Sequence, residues 1–355
     1  MNIVIRTDAS IEIGTGHVMR CLTLANQFKR HGAEVTFVCR NLEGNSISYL
    51  QSQGMQVAIL PSVKNDVQWK SDAEATRAII EDLNIEVDLI IVDHYELDNR
   101  WESILRLCTK QIMVIDDLAN RSHDCDLLLD QNYYLNMRER YRGLAPDHCV
   151  QMLGPDHVLL RDEFLQVANK PRERTGEVHN ILIFFGGTDP TGETIKTLEA
   201  IREINIPEIE INVVVGASNP KRHEIEQMCN KMQNTNFYCQ VSNMAEMMWK
   251  ADLAIGAGGA TTWERCFLGL PTLTTVIADN QLEATTFLND QEVTVYVGES
   301  KDTSSEMIKQ PLIKLLNCSK EVRKLSRNSL RIIDSVRVQE YIVLNMIKQV
   351  LGGLK

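Results

Sequence analysis

The sequence predicts an α/β fold of two Rossmann-like domains, each with a parallel sheet, facing a cleft. Three observations predict it. Short runs of Val, Ile and Leu alternate with helical stretches, the pattern of parallel strands covered on both faces. Polar residues collect at the C-terminal ends of those runs, where open α/β sheets bind ligands. A strand, a glycine turn and a helix follow one another in each half, most clearly at Gly14-Thr15-Gly16 and at Gly256-Ala257-Gly258-Gly259.

The elements follow in order. Ile3-Val4-Ile5 is a strand and Glu34–Cys39 the next, with an amphipathic helix between them carrying Val18, Cys21, Leu22, Ala25 and Phe28 on one face. Val57–Leu60 is a short strand, and a polar helix around Asp72–Leu83 leads to strand Val87–Val92, which ends in Asp93-His94-Tyr95. Strand Gln111–Ile115 ends in Asp116-Asp117, and strand Cys125–Leu129 in Asp130-Gln131-Asn132. The polar, Pro- and Gly-containing stretch 169–178 reads as a linker between domains 1–168 and 179–355. The second half opens with strand Asn180–Phe185, a turn, and helix Thr191–Arg202 with Thr191 as its N-cap. Strands Ile211–Val215, Phe237–Val241, Leu253–Ile255 and Thr272–Val276 follow, with helices near His223–Met232, after Val241 and from Thr261. The segment from Lys320 to Leu351 reads as terminal helices of the second domain.

Composition narrows the function. The chain has 355 residues, 44% hydrophobic and 24% charged, enough for two domains with cores of their own. A formal net charge of -11 speaks against a sequence-independent nucleic-acid binder. No apolar run approaches the roughly 18 residues of a membrane span. Ile3-Val4-Ile5, bounded by Arg6 and Asp8, is too short for a secretory leader. The nine cysteines include no C-x-x-C pair, which predicts a reducing cytoplasm and neither a disulfide framework nor structural zinc.

The first turn is the most informative stretch. Glycines let the backbone approach a ligand, and unpaired N–H groups at a helix start face an anion. His17 stands at that turn, either as a group that takes a proton beside a phosphate or sugar, or as a helix-start packing residue. Arg20, one turn on, reaches a phosphate or stays in solvent. The second turn, Gly256–Glu264, has the same logic, with Gly258, Gly259 and Thr261 beside the pyrophosphate. Glu264 accepts from two ribose hydroxyls or simply complements the helix dipole. Asn280 and Gln281, after strand Thr272–Val276, suit hydroxyl and acetamido groups or form a plain polar loop. Asp116-Asp117 reads first as a loop-holding pair, and a metal site there is the minor alternative. A P-loop, a G-x-S-x-G elbow, H-E-x-x-H and G-x-G-x-x-G are all missing, which disfavours hydride transfer.

These blocks resemble a family. Asp8-Ala-Ser…Ile-Gly-Thr-Gly-His-Val-Met-Arg-Cys-Leu-Thr-Leu-Ala is similar to the start of the UDP-2,4-diacetamido-2,4,6-trideoxy-β-L-altropyranose hydrolases of pseudaminic acid biosynthesis. Val92-Asp-His-Tyr95, Ile115–Ala119, Leu160–Phe164 and Phe185–Pro190 resemble further blocks of that family. Gly258–Glu264 and Gly269–Pro271 with Asn280-Gln281 are similar, in addition, to the peptidoglycan UDP-GlcNAc transferase, whose two-Rossmann fold is called GT-B. Related spore-coat polysaccharide proteins carry similar blocks.

The resemblance implies a UDP-sugar substrate and UDP as product, with His17 as catalytic base, Tyr95 near the sugar, Glu264 on the ribose, and Asn280 and Gln281 on the sugar. It implies that Arg161 meets the substrate. The expected activity is a cytoplasmic, metal-independent and inverting hydrolase without a cofactor, serving pseudaminic acid and flagellin glycosylation or a related surface polysaccharide. No nucleic acid and no stable membrane insertion are expected. A GT-B glycosyltransferase and a non-catalytic nucleotide-sugar binder are the two rivals.

Overall fold

The computed structural model describes residues 1–61, 68–170 and 172–352. It divides into two compact units, Met1–Leu159 joined by the chain from Val336 on, and Leu160–Ser335.

The first unit is built on seven parallel strands: β1 (Asn2–Thr7), β2 (Glu34–Arg40), β3 (Gln56–Leu60), β4 (Val87–Asp93), β5 (Thr109–Ile115), β6 (Leu127–Asp130) and β7 (Val150–Leu153). Their order is β3-β2-β1-β4-β5-β6-β7. The chain leaves β1 towards β2 and β3, then returns to the other side of β1 as β4, with Thr7 opposite Asp93. That reversal is the place where loops part and leave a crevice at the strands' C-terminal ends. β1 and β4 are apolar on both faces because helices cover both, so Val4 and Ile90 are as buried as Ile3 and Leu89.

The helix Gly16–Arg30 follows β1 and buries the face anticipated from its spacing, Val18, Cys21, Leu22, Ala25 and Phe28. Lys29 and Arg30 complement its C-terminal dipole, and Gly32 at φ +77 terminates it. The helix Ile342–Val350 adds Val343, Leu344 and Ile347 to the same core. The last helix therefore goes with the first unit and not, as its position in sequence suggested, with the second. Its apolar stripe has the helical period but carries no address, and only packing says which core it completes.

The second unit has six parallel strands: β8 (Asn180–Phe184), β9 (Glu210–Val215), β10 (Thr235–Cys239), β11 (Leu253–Ala257), β12 (Thr272–Val276) and β13 (Val295–Glu299), in the order β10-β9-β8-β11-β12-β13. Here the reversal falls between β8 and β11, and the helix Thr261–Phe267 starts just beyond β11. The unit also takes in the helix Asp162–Ala168, whose Glu163 accepts from the backbone N–H of Ala245. The stretch read as a linker is anchored on this unit. Arg174 is buried, donates to the carbonyls of Met248, Ala251 and Leu268, and so satisfies two helix C-termini, while Arg172 pairs with Asp252 at 2.5 Å. Pro171 lies outside the described residues.

Two local readings change. The helix after β8 runs Glu193–Ile204, and its first N–H groups, those of Glu193 and Thr194, donate to the carboxylate of Asp189 at 3.0 Å each. Asp189 thus does the capping assigned to Thr191, because Gly192 at φ +75 turns the chain and brings that carboxylate over the helix start. The edge strands β7 and β13, short and half-exposed, carry too weak a pattern to stand out in sequence.

Candidate functional site

In the first unit the side chains at the β1/β4 reversal form one hydrogen-bonded chain. His17, in the first turn of its helix, points Nδ1 at Asp93 Oδ1, 2.5 Å away. Asp93 ends β4 and is fully buried. Arg20 lies one turn beyond His17 and grips the same carboxylate twice, Nε to Oδ2 at 2.6 Å and Nη2 to Oδ1 at 2.7 Å. Its Nη1 donates to Asp117 Oδ2 at 2.9 Å, and Asp117 Oδ1 accepts from the Tyr95 hydroxyl at 2.7 Å. The Tyr95 ring stands edge-on to the His17 imidazole, with centroids 4.5 Å apart. His17, Arg20 and Tyr95, singled out separately from sequence, thus meet in one place.

The electrostatics follow from that geometry. Burial alone would raise the Asp93 carboxyl, but the Arg20 charge, with the hydrogen bonds from Arg20 and His17, outweighs it and holds the group well below the usual carboxylate range. An ionised acceptor at 2.5 Å requires the proton of a neutral imidazole on Nδ1, which leaves Nε2 with the basic lone pair. Burial and the neighbouring Asp117 push the Tyr95 phenol well above its ordinary value, so Tyr95 is a donor and ring contact rather than a proton acceptor. Arg20 spends its guanidinium on two carboxylates, a different task from the phosphate contact read from its position. Gly14 takes φ +77 and donates to Ser10 O at 2.9 Å, and a Cβ on Gly14 or Gly16 would meet nothing within 4 Å. The loop around both glycines is therefore uncrowded, and only Gly14 needs its freedom, for the positive φ.

Sequence reasoning missed the layer beneath. Arg6, fully buried in β1, binds Asp8 and Asp72 at 2.7 Å each, and Asp72 also accepts from Arg40 and from the Trp101 indole. The Asp8 backbone starts the glycine loop, so this network fixes where the loop leaves the sheet. His94 accepts from Glu96 N on Nδ1 and turns Nε2 to Asp8 at 3.3 Å. An alternation of Arg and Asp across two strands, a loop and a helix has no local sequence signal. Asp116 is held by Arg121 at 2.7 Å and by the Tyr141 hydroxyl at 3.0 Å, so both members of the Asp116-Asp117 pair are engaged by protein donors. Tyr141 also donates to Asp130 at 3.1 Å. Burial and the nearby Asp117 push the Asp130 carboxyl up to about 7. Among the described residues no group of three or more His, Cys, Asp or Glu is placed to hold a metal ion.

In the second unit the glycine turn after β11 is packed from two sides. A Cβ on Gly256 would lie 2.5 Å from Phe184 O, and one on Gly258 would lie 2.3 Å from Thr285 Oγ1. Gln281 closes over the turn while its Oε1 accepts from Ile277 N at 3.1 Å. Asn280 precedes it on the same short 3-10 turn, half-buried. Arg161 donates to Glu264 Oε1 at 3.0 Å and pairs with Glu163 at 2.6 Å. Glu264 Oε2 is buried and has no hydrogen-bond partner. Burial raises the Glu264 carboxyl above its ordinary value, and Arg161 offsets only part of that. A carboxylate with one oxygen clamped and the other open is ready to accept a hydroxyl. Thr261 Oγ1 lies 3.2 Å from the donor Arg265 Nη1.

A sheet reversal with a glycine loop in each of two parallel-sheet units defines the GT-B class of fold. Residues 181–334 match the glycosyltransferase family 28 C-terminal domain. The chain is 30% identical over 290 residues to an uncharacterized protein of Methanocaldococcus jannaschii, a match covering 80% of this chain and 57% of that one. It therefore spans little more than half of that relative. It is 29% identical over 249 residues to the UDP-2,4-diacetamido-2,4,6-trideoxy-β-L-altropyranose hydrolase of Campylobacter jejuni, covering 70% of this chain and 81% of that one. It is 24% identical to the spore coat polysaccharide biosynthesis protein SpsG of Bacillus subtilis, covering 84% of each. Among solved structures, MurG of Acinetobacter baumannii superposes with a TM-score of 0.67 at 14% identity, covering 98% of this chain and 99% of that one. No helix among the described residues is long and apolar enough to cross a membrane.

Proposed function

We propose that the protein hydrolyses a UDP-linked 2,4-diacetamido-2,4,6-trideoxy hexose of L-altro configuration, releasing UDP, in the cytoplasmic biosynthesis of pseudaminic acid or a related surface sugar. The observation that carries the reading is the His17–Asp93 pair at the β1/β4 reversal, with Nδ1 fixed on a buried carboxylate. Nε2 of His17 takes the proton of a water as that water attacks the anomeric carbon, and Asp93 stabilises the imidazolium that forms. Arg20 keeps Asp93 ionised and in place, and Tyr95 packs the imidazole from its side. UDP is a good leaving group and needs little protonation, so the scheme uses no metal. Attack opposite the leaving group inverts the anomeric centre. The second unit holds the nucleotide, with Glu264 on the ribose, Gly258, Gly259 and Thr261 at the diphosphate, and Asn280 and Gln281 on the sugar. The relative named as this hydrolase supports the substrate class.

A second reading is favoured by one finding, the match of residues 181–334 to a glycosyltransferase domain. There the same His17 deprotonates an acceptor hydroxyl instead of water. Incubation with a panel of UDP-sugars and no acceptor separates the two. UDP release with many turnovers supports the hydrolase. Release that requires an added acceptor overturns it in favour of the transferase, and no release from any sugar removes both.

A further inference from the structure

We infer that Arg265 is a positioning residue for the nucleotide's phosphates, a buried cation kept without a carboxylate partner so that the glycine turn above it favours an anion. This rests on the nucleotide reading of the second unit.

Arg265 is 3% exposed, yet every hydrogen bond it makes goes to a neutral oxygen. Nη2 donates to Ala257 O at 2.7 Å and to Thr262 Oγ1 at 3.0 Å, and Nη1 donates to Thr261 Oγ1 at 3.2 Å. Its Nε has no partner. No carboxylate among the described residues is within ion-pair distance of it; Glu264, its chain neighbour, is taken by Arg161. Arg6, Arg20 and Arg40, buried in the first unit, each have an aspartate on them, whereas Arg174 in the second unit, like Arg265, donates only to neutral oxygens, but at helix C-termini and not at a glycine turn. The acceptors that Arg265 uses are the residues that bracket the turn, Ala257 before Gly258 and Gly259, Thr261 and Thr262 after them.

The chain also makes room for this charge. A Cβ on Gly256 would come within 2.8 Å of Arg265 Nη1, so the glycine that ends the apolar part of β11 admits the guanidinium against the strand. On its other side Arg265 borders a small, partly open pocket whose polar lining is Thr262, Thr272, Thr274, Thr294 and Ser329. Those hydroxyls are neutral and supply no counter-charge. Burial pulls the guanidinium down to about 10, which leaves it protonated at neutral pH. The Glu264 charge acts on it only without a hydrogen bond, and a buried cation with no hydrogen-bonded counter-charge carries a cost that an anion arriving within range offsets. A diphosphate on the turn is that anion.

The test compares UDP with uridine, which shares the base and ribose but has no phosphate. Calorimetric titration of both ligands is run on the wild type, Arg265→Gln and Arg265→Lys, with melting temperature as the check on folding. The expected result is that Arg265→Gln lowers affinity for UDP at least about tenfold while uridine changes less than about threefold. Arg265→Lys, which keeps the charge with a different shape, should retain the UDP-over-uridine preference. Equal losses for both ligands, or an unchanged ratio, would overturn the charge role while leaving the nucleotide reading intact. If the glutamine variant does not fold, a lysine variant that folds and loses the preference overturns the inference too. A wild type that binds neither ligand would remove the nucleotide reading itself, and this inference with it.

Discussion

Replacing Asp93 by Asn probes the site most sharply, because that carboxylate serves two neighbours at once. Oδ1 accepts from His17 and from Arg20 Nη2, while Oδ2 accepts from Arg20 Nε. An amide cannot satisfy both. With its oxygen towards His17, its NH₂ faces the Arg20 Nε–H, donor against donor. With its NH₂ towards His17, Nδ1 must accept, the ring proton moves to Nε2, and the basic lone pair is lost. Either orientation removes the negative charge that stabilises the imidazolium. The expected fall in kcat is about 10²–10⁴-fold, the range seen when a general base loses its orienting carboxylate.

Stability falls as well. Arg20 stays buried with only Asp117, and breaking one partner from a buried ion pair typically costs about 3–5 kcal/mol, with the surviving Asp117 pair favouring the low end. The sign with pH is fixed by the depressed Asp93 carboxyl. Its contribution is full above the ordinary Asp value near 4 and is lost as pH falls through the lower folded value. The wild-type advantage over Asp93→Asn should therefore be constant from neutral pH down to about 4 and shrink below it. The assays are acceptor-free UDP release, calorimetric UDP binding, and urea unfolding at several pH values. A folded Asp93→Asn protein with kcat within threefold of wild type would refute the dyad.

Three further outcomes are expected. Glu264→Ala should weaken UDP binding by roughly 1.5–3 kcal/mol, the scale of charge-assisted hydrogen bonds, whereas His17→Asn should leave it nearly intact and lower turnover at least about 10²-fold; calorimetry and UDP release on both variants check this, and equal loss of binding would make His17 a phosphate ligand. Turnover should be unchanged in excess EDTA, and its loss with rescue by Mg²⁺ would return Asp116 and Asp117 to the chemistry. Asp130, raised to about 7, makes the folded state lose stability progressively as pH rises from the ordinary Asp value near 4 to about 7, where only the unfolded chain ionises, so Asp130→Asn should gain on the order of 2–4 kcal/mol over wild type between pH 4 and 8 in chemical denaturation, and a constant difference would contradict the assignment.

Much of this architecture is legible in sequence because parallel strands buried on both faces leave continuous apolar runs. Val87–Val92 and Thr272–Val276 were plain for that reason, and so were the two glycine turns after β1 and β11. His17, Glu264 and the polar strand ends were visible as positions. What each touches was not. The pairing of His17 with Asp93, and of Arg161 with Glu264, joins residues 76 and 103 positions apart, brought together by strand order in the first case and by helix packing in the second, not by local pattern. Arg20 illustrates the gap: one turn from a glycine loop it suggests a phosphate ligand or a solvated charge, yet Asp93 at the end of β4 and Asp117 just beyond β5 claim it. Arg265 is the opposite case. On an amphipathic helix a charge reads as solvent-facing, and only the fold reveals that it is buried. The C-terminal helix is legible as a helix, but its destination depends on which core has a vacant face.

The central claim is that His17 drives water onto the anomeric carbon of a UDP-sugar. Its most direct test is hydrolysis of UDP-2,4-diacetamido-2,4,6-trideoxy-β-L-altropyranose in ¹⁸O-labelled water, with mass spectrometry of both products. The account predicts one label in the released sugar, none in UDP, and inversion at the anomeric centre observed by NMR before mutarotation. Label in the β-phosphate of UDP would show attack at phosphorus and contradict it.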